Sequence, residues 1–294
     1  MEANEWKVGV VGLGNMGGKV AESIVSKGFN VIVYDVNPKV TILLKEMGAE
    51  VANDLIDIAA KSNIILTSLP NTDIVREVYE TILNKVEHGT IFIEMSTIDP
   101  GYIKDLDTQV SNKESFLIDL PVSGSPEEAK NGKLVLMAGG NKEVINRLQP
   151  LISCFGEQVH YVGKPGDAKA VKVVNNLMTM GNVAVAAEAF SIGLKFGIDP
   201  ELLFNVLNQS GGRSHHFSKR FPNALQRDFE GRFSVELGEK DVSLGLDLSK
   251  SLDVPSPIAS LVQQIYRIAK SEGFGQEDIV AVLKLYEKWG RLVN

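Results

Sequence analysis

Short apolar runs rich in Val and Ile recur through the first half of the chain: KVGVV, NVIVYD, NIILTSLP, TIFIEMS, FLIDLPV, KLVLMAGG and VHYVG, between Lys7 and about Val162. Amphipathic segments separate them. The runs are nearly continuous in apolar character rather than alternating, as expected of strands covered by helices on both faces. The alternation predicts an α/β domain with a mostly parallel sheet. After GKPGD, Gly163 to Asp167, no strand-like run of convincing length follows, and helix formers dominate to Asn294. Breaks at Ile198 to Pro200, Ser210 to His216 and Val254 to Pro257 are turn or helix-start signals. The expected organisation is an α/β domain over residues 1–163 and an all-helical domain over residues 164–294, built on a long interdomain helix.

That helix is expected in KAVKVVNNLMTMGNVAVAAEAF, Lys169 to Phe190. Running from near Asp167 to about Lys195, it would be about 45 Å long at 1.5 Å per residue. At about 100° per residue, Lys172, Asn175, Asn176, Thr179 and Asn182 share a sector about 120° wide. The other sides are mostly apolar. A polar stripe on a helix otherwise buried nearly all round, against its own domain and a second subunit, is the expectation. Lys172 and Asn176, four residues apart, stack one turn apart and can share one ligand. A lone helical lysine ordinarily snorkels to solvent, and Lys169, beside the stripe, competes with Lys172 for any special role.

VGVVGLGNMGGKVAESIV places Gly12, Gly14 and Gly17 in G-x-G-x-x-G spacing between the first strand and a helix, with Leu13, Asn15 and Met16 between the glycines. Gly12 permits the tight turn, Gly14 the approach of a pyrophosphate, and Gly17 close helix–strand packing. The phosphates would sit at the helix N-terminus. The second strand ends in VYD, with Asp35 placed to bind an adenosine ribose. Strand, glycines, helix and acid together predict a Rossmann dinucleotide site. A carboxylate at Asp35 repels a 2′-phosphate and Val36 supplies no guanidinium, so NAD is expected over NADP; the nearby Lys39 leaves NADP possible.

Composition narrows the classes. With 44% hydrophobic and 23% charged residues the chain reads as an ordinary globular protein. No uninterrupted apolar run reaches the roughly 18 residues of a membrane span. Thirty basic residues against 37 acidic, scattered rather than striped, give net charge −7 and argue against a nucleic-acid partner. Cys154 alone makes no intrachain disulfide and no zinc cluster, and reads as a small buried apolar residue. His215 and His216 are adjacent and point in different directions, so no metal is expected. The N-terminus shows no basic n-region, apolar h-region or Arg-rich presequence, which predicts a cytoplasmic protein.

The constellation resembles the 3-hydroxyacid dehydrogenase family, which includes 3-hydroxyisobutyrate dehydrogenases, tartronate semialdehyde reductases and the N-terminal half of 6-phosphogluconate dehydrogenases. The resemblance covers essentially the whole chain. Its motifs stand here as GLGNMG, SLPN (Ser68 to Asn71), EMSTIDP (Glu94 to Pro100), DLPVSG (Asp119 to Gly124), a G-x-x-G-x-G-x-x-x-K-x-x-x-N pattern from Gly163 to Asn176, and KDVSLGLD (Lys240 to Asp247). The resemblance implies that Lys172 donates or accepts the proton, that Ser123 and Gly124 hold a substrate carboxylate, and that Asn176 orients the substrate. It further implies that Leu69, Pro70, Thr97 and Lys240 lie beside the nicotinamide, Lys240 also reaching the substrate. Two departures are Ala168 and Ser125, where the family usually has Gly. Ala168 adds a methyl where the helix start would near the cofactor. Imine-reducing relatives as a rule lack the lysine present here as Lys172.

The implied chemistry is oxidation of a primary alcohol beside a carboxylate-bearing carbon, or reduction of the semialdehyde. It needs a Lys172 amine that is partly neutral, which desolvation among apolar neighbours and a cationic nicotinamide would favour. NQSGGRS, Asn208 to Ser214, looks most like a segment of 3-hydroxyisobutyrate dehydrogenases and would put Arg213 near the pocket mouth. A small 3-hydroxy acid is the expected substrate; L-serine, tartronate or succinate semialdehyde and glyoxylate are alternatives. A homodimer or homotetramer is expected. A non-catalytic dinucleotide-binding module is the rival of another class, and its mark would be loss of the lysine.

Overall fold

The computed structural model describes residues 6–292. They form two compact units that divide between Lys172 and Val173.

The first unit alternates strands and helices: β1 Lys7–Val11, α1 Asn15–Ser26, β2 Asn30–Tyr34, α2 Ile42–Glu46, β3 Glu50–Val51, α3 Leu55–Lys61, β4 Ile64–Thr67, α4 Thr72–Ile82, β5 Ile91–Glu94, α5 Pro100–Ser111 and β6 Phe116–Asp119. It continues with β7 Val122–Ser123, α6 Pro126–Lys130, β8 Leu134–Gly139, α7 Lys142–Arg147, α8 Gln149–Ile152 and β9 Gly156–Gly163. The sheet order is β3-β2-β1-β4-β5-β6-β8-β7, with β9 beside β8. Strands β1 to β6 pair in parallel, while β8 runs antiparallel to β6 and β7. This is the Rossmann arrangement, in which the strand order reverses between β1 and β4 and ligands bind at the strands' carboxyl ends there.

Each apolar strand run serves two cores. Val8, Val10, Ile64, Leu66, Ile91 and Ile93 enter one, and Val11, Ile65 and Phe92 enter the other. Successive side chains point to opposite faces, so a strand covered on both sides must be apolar throughout. Two features departed from the sequence pattern. Strand β3, two residues long, is too short to carry a periodicity. FLIDLPV supplies both β6 and β7, broken at Leu120 and Pro121, where proline has no N–H for the ladder.

In the other half, α9 Asp167–Phe196 is followed by α10 Pro200–Asn208, α11 His215–Leu225, α12 Val235–Ser251, α13 Pro257–Ala269 and α14 Val282–Trp289. The breaks fall where the sequence places them. Asp199 caps α10, accepting from the Leu202 N–H at 2.9 Å, and Ser214 caps α11, accepting from the Phe217 N–H at 3.1 Å. The second unit's core gathers Met180, Val183, Ala187 and Phe190 of α9 with Phe217, Phe221, Val242 and Tyr266. Gly245 of α12 packs so closely on α9 that a Cβ there would lie 2.5 Å from the Leu177 side chain. Within this helical unit an isolated antiparallel bridge pairs Ser234 with Asp278.

Within one chain α9 is covered on one side, which leaves open the share of its burial expected from a second subunit. Val171, Val174, Met178, Val185, Ile192 and Phe196 are exposed, from 41% to 86%. At 100° per residue they occupy a sector about 60° wide, opposite the buried side chains of the same helix. By length and composition α9 also satisfies the criteria for a membrane span. Its inward face, however, is the spine of the second unit's core. The polar stripe is divided as well: Asn176 and Thr179 are buried, Lys172 and Asn175 half-buried, and Asn182 exposed.

Candidate active site

The glycine turn after β1 has the geometry its spacing requires. Gly12 sits at φ +88°, and a Cβ on it would lie 2.3 Å from the Ser68 carbonyl oxygen. A Cβ on Gly17 would lie 2.1 Å from the Gly12 carbonyl oxygen, whereas one on Gly14 would meet nothing within 4 Å. The two outer glycines therefore close the turn and the middle one faces open space. No side chain caps α1 at Gly14, and no acidic residue stands in its first turn. That leaves the positive end of a 12-residue helix for an anion. Leu13 is buried and Met16 packs against the same core, while Asn15 is exposed. The Leu13 N–H donates to Asp35 Oδ2 at 2.7 Å, and the Asn37 N–H donates to Oδ1 at 2.8 Å. Asp35 is thus fixed at the edge of the turn, beside an exposed Val36.

The loops after β4 and β5 are tied to each other. The Leu69 N–H donates to Ser96 Oγ at 2.8 Å, and the Ser96 N–H donates to the Glu94 carboxylate. Leu69 and Thr97 are half-buried and Pro70 is exposed. Asn71 serves the fold, capping α4 at the Ile74 N–H, 2.9 Å away.

Beyond β6 the chain reaches Ser123, half-buried, and Gly124 at φ +144°, where a Cβ would lie 2.6 Å from Leu134. Ser125 heads a capping box: its hydroxyl accepts from the Glu128 N–H, and its own N–H donates to Glu128 Oε2 at 2.6 Å. The serine at this position therefore stabilises the start of α6. Ala168, the other departure, is fully buried with its methyl directed toward Gly139.

The first turn of α9 is anchored by charge. Lys169 is 1% exposed; its Nζ lies 2.9 Å from Asp119 Oδ1 and donates to the Glu94 carbonyl oxygen at 2.7 Å. Asp119 Oδ2 accepts from the N–H groups of Gly166 and Lys169, at 2.8 and 3.1 Å. Glu94 is also fully buried, and burial pushes its carboxyl above the usual range against the pull of the Lys169 charge and of bonds from Ser96 and Thr67. Lys172 follows three residues later, half-buried, at the last position of the first unit.

In the second unit, Asn176 is 2% exposed and donates to Asp241 Oδ2 at 2.6 Å, while its own Oδ1 accepts from Asn175. Lys240 Nζ lies 3.1 Å from Asp241 Oδ1. One carboxylate thus joins Asn176 to Lys240. Arg213 is exposed in the loop before α11. The rings of His215 and His216 cross at 88°, and His216 accepts from Arg220. Among the described residues no group of three His, Cys, Asp or Glu side chains is placed to hold a metal.

Two family models match in sequence, that of the NAD binding domain of 6-phosphogluconate dehydrogenase over residues 7–163 and that of the NAD-binding region of NADP-dependent 3-hydroxyisobutyrate dehydrogenase over residues 166–286. The chain is 33% identical over 286 residues to 2-(hydroxymethyl)glutarate dehydrogenase of Eubacterium barkeri, covering 96% of this chain and 95% of that one. It is 35% identical over 292 residues to the mitochondrial 3-hydroxyisobutyrate dehydrogenase of Rattus norvegicus, covering 96% and 87%. The chain belongs to the 3-hydroxyacid dehydrogenase family. A solved structure of Mycobacterium tuberculosis 3-hydroxyisobutyrate dehydrogenase with L-serine superposes with a TM-score of 0.88 at 26% identity, covering 95% of this chain and 98% of that one.

As a member of this family the chain is a hydroxyacid dehydrogenase that uses NAD(P), and a non-catalytic role is set aside. Its turn fits a dinucleotide: the open face at Gly14, the uncapped helix and the fixed Asp35 are the groups that would hold one. The sequence offers Lys169 only as a competitor of Lys172, not as the anchor of the turn, and Glu94, Asp119 and Asp241 are not singled out there. Signals existed for the three carboxylates. Glu94 opens the EMSTIDP motif, Asp119 opens the DLPVSG motif, and Asp241 is adjacent to Lys240 in KDVSLGLD.

Proposed function

We propose that this dehydrogenase acts on a small 3-hydroxy acid of the 3-hydroxyisobutyrate type, with Lys172 as general acid and base and NAD preferred over NADP. The observation that carries the reading is the placement of Lys172 and Asn176 one turn apart on a helix whose first turn is locked in place. NAD supplies the hydride acceptor, and its holders would be Gly12 to Gly17 and Asp35, with Leu69, Pro70, Thr97 and Lys240 on the nicotinamide side. Lys172 takes the hydroxyl proton during oxidation and returns it during reduction. Asn176 has a second amide hydrogen beyond the one given to Asp241, and that donor suits a substrate oxygen. The Ser123 hydroxyl and the backbone at Gly124 suit a carboxylate. L-Serine, a 3-hydroxy acid bearing an amine, is the second substrate to test, given its presence in the Mycobacterium structure. A panel of three- and four-carbon hydroxy acids and semialdehydes, assayed with both cofactors, tests the proposal; turnover confined to 2-hydroxy acids would refute it.

Cofactor preference has its own test. Asp35→Ser combined with Val36→Arg removes a charge that repels a 2′-phosphate and adds a guanidinium that pairs with one. The ratio of kcat/KM for NADP over NAD should rise by about 100-fold or more, about 3 kcal/mol in all, a size expected of new charge-assisted bonds. Wild-type preference for NADP would contradict the role given to Asp35.

The exposed stripe on α9 supports assembly with a second copy of this chain. From Val171 to Phe196 its sector holds no charged side chain, and a two-fold axis needs one self-complementary patch. Six large apolar groups in a line are more than scattered surface hydrophobes. Met178→Asp with Val185→Asp should give a monomer by light scattering where the wild type gives a dimer or tetramer. A monomeric wild type would refute the assignment.

A further inference from the structure

We propose that Lys169 is a positioning residue for Lys172, holding the first turn of α9 at the angle and height that set where the Lys172 amine stands. The inference rests on the reading of Lys172 as the proton acceptor. Four contacts converge on the turn: the ion pair of Lys169 Nζ with Asp119, the bond from Lys169 Nζ to the Glu94 carbonyl, and the bonds that the Gly166 and Lys169 N–H groups donate to Asp119. Glu94 and Asp119 are register partners at the ends of neighbouring parallel strands, so Lys169 is fixed by two strands at once. From those ends run the two loops expected at the nicotinamide and the substrate carboxylate, Glu94 to Thr97 and Asp119 to Gly124. Lys172 is three residues from Lys169, hence its neighbour on the helix surface, and a shift of the turn moves it directly. A fully buried ammonium costs a large desolvation penalty and is weak evidence for stability alone. Here it joins the elements that carry the reacting groups, which a buried apolar side chain would not do with direction.

The test separates positioning from stability in the full-length chain. Lys169→Met leaves Asp119 buried with an uncompensated charge and should unfold at lower temperature. Lys169→Met with Asp119→Asn removes that charge while keeping an oxygen for the Gly166 and Lys169 N–H groups, and should regain most of the lost melting temperature. Its kcat with 3-hydroxyisobutyrate should nevertheless stay about 30- to 100-fold below wild type, the cost of a misplacement of about 1 Å, with KM for NAD within about twofold. Without nucleotide, hydrogen exchange of residues 163–172 should be at least about tenfold faster in the double variant, reflecting local opening. A double variant with recovered melting temperature and wild-type kcat would overturn the inference, as would unchanged exchange. Should the double variant fail to fold, Lys169→Arg, which keeps the buried charge paired with Asp119 but changes the length and shape of the link, should show the loss in kcat at unchanged KM for NAD; wild-type kcat there overturns it equally. A wild type inactive on every hydroxy acid counts against the reading of Lys172, while the exchange result still decides the role of Lys169.

Discussion

Replacing Lys172 with Ala should lower NAD⁺ reduction about 10²- to 10⁴-fold, the usual contribution of a positioned general acid or base, and leave nucleotide affinity within about twofold. Alanine is the best helix former, so α9 keeps its geometry. On its adenosine and phosphate side the nucleotide's expected contacts are the turn at Gly12 to Gly17 and Asp35, whose fixing bonds to the Leu13 and Asn37 N–H groups do not involve Lys172. Lys172→Arg separates two roles. Arginine keeps the positive charge but cannot give up its proton in a protein, so it should be nearly as inactive as alanine. Steady-state kinetics with both variants, and nucleotide titration by fluorescence, check the result. Activity retained by the arginine variant would show that Lys172 acts through its charge alone.

Asp119→Ala should cost about 3–5 kcal/mol of stability, the range for removing one partner of a buried ion pair. The loss has two sources. The Lys169 ammonium, 1% exposed, is left without its counterion, and the Gly166 and Lys169 N–H groups lose their common acceptor. For a protein whose total stability is of order 5–15 kcal/mol, this is a large share, equivalent to roughly 10 °C in melting temperature. Thermal and urea unfolding followed by circular dichroism measure it. A loss below about 1 kcal/mol would mean that the buried pair contributes no more than an exposed one.

What was legible in the sequence follows from the range over which each signal acts. The strands of the first unit announce themselves as short, nearly continuous apolar runs, the 30 residues of α9 as a long run of helix formers, and the breaks at Asp199 and Ser214 through side chains that cap helices close by. The glycine turn is equally local, so the spacing of Gly12, Gly14 and Gly17 already carries its geometry. Lys169 has no such local signal. Its partners, Asp119 and Glu94, lie 50 and 75 residues away, and no pattern around Lys169 distinguishes a buried ammonium from a solvated one. The same holds for Asp241, which reaches Asn176 across 65 residues. The apolar run of α9 signals a need for cover without saying which part its own chain provides, so the exposed line from Val171 to Phe196 could not be told in the sequence from the side facing the core. Ser125 looked like a loss of glycine and is a helix cap, a role visible in the Glu128 three residues later.

The central claim is that this chain removes hydride from the hydroxyl-bearing carbon of a 3-hydroxy acid, and the most direct test compares two four-carbon hydroxy acids of the same formula that carry the hydroxyl on different carbons. Initial rates of NAD⁺ reduction by the wild-type chain should be measured with 3-hydroxyisobutyrate and with 2-hydroxybutyrate under the same conditions. The account predicts a kcat/KM for the 3-hydroxy acid at least about 100-fold greater, since a site that fixes the carboxylate places only one carbon within reach of the nicotinamide. Equal rates, or a preference for the 2-hydroxy isomer, would contradict it.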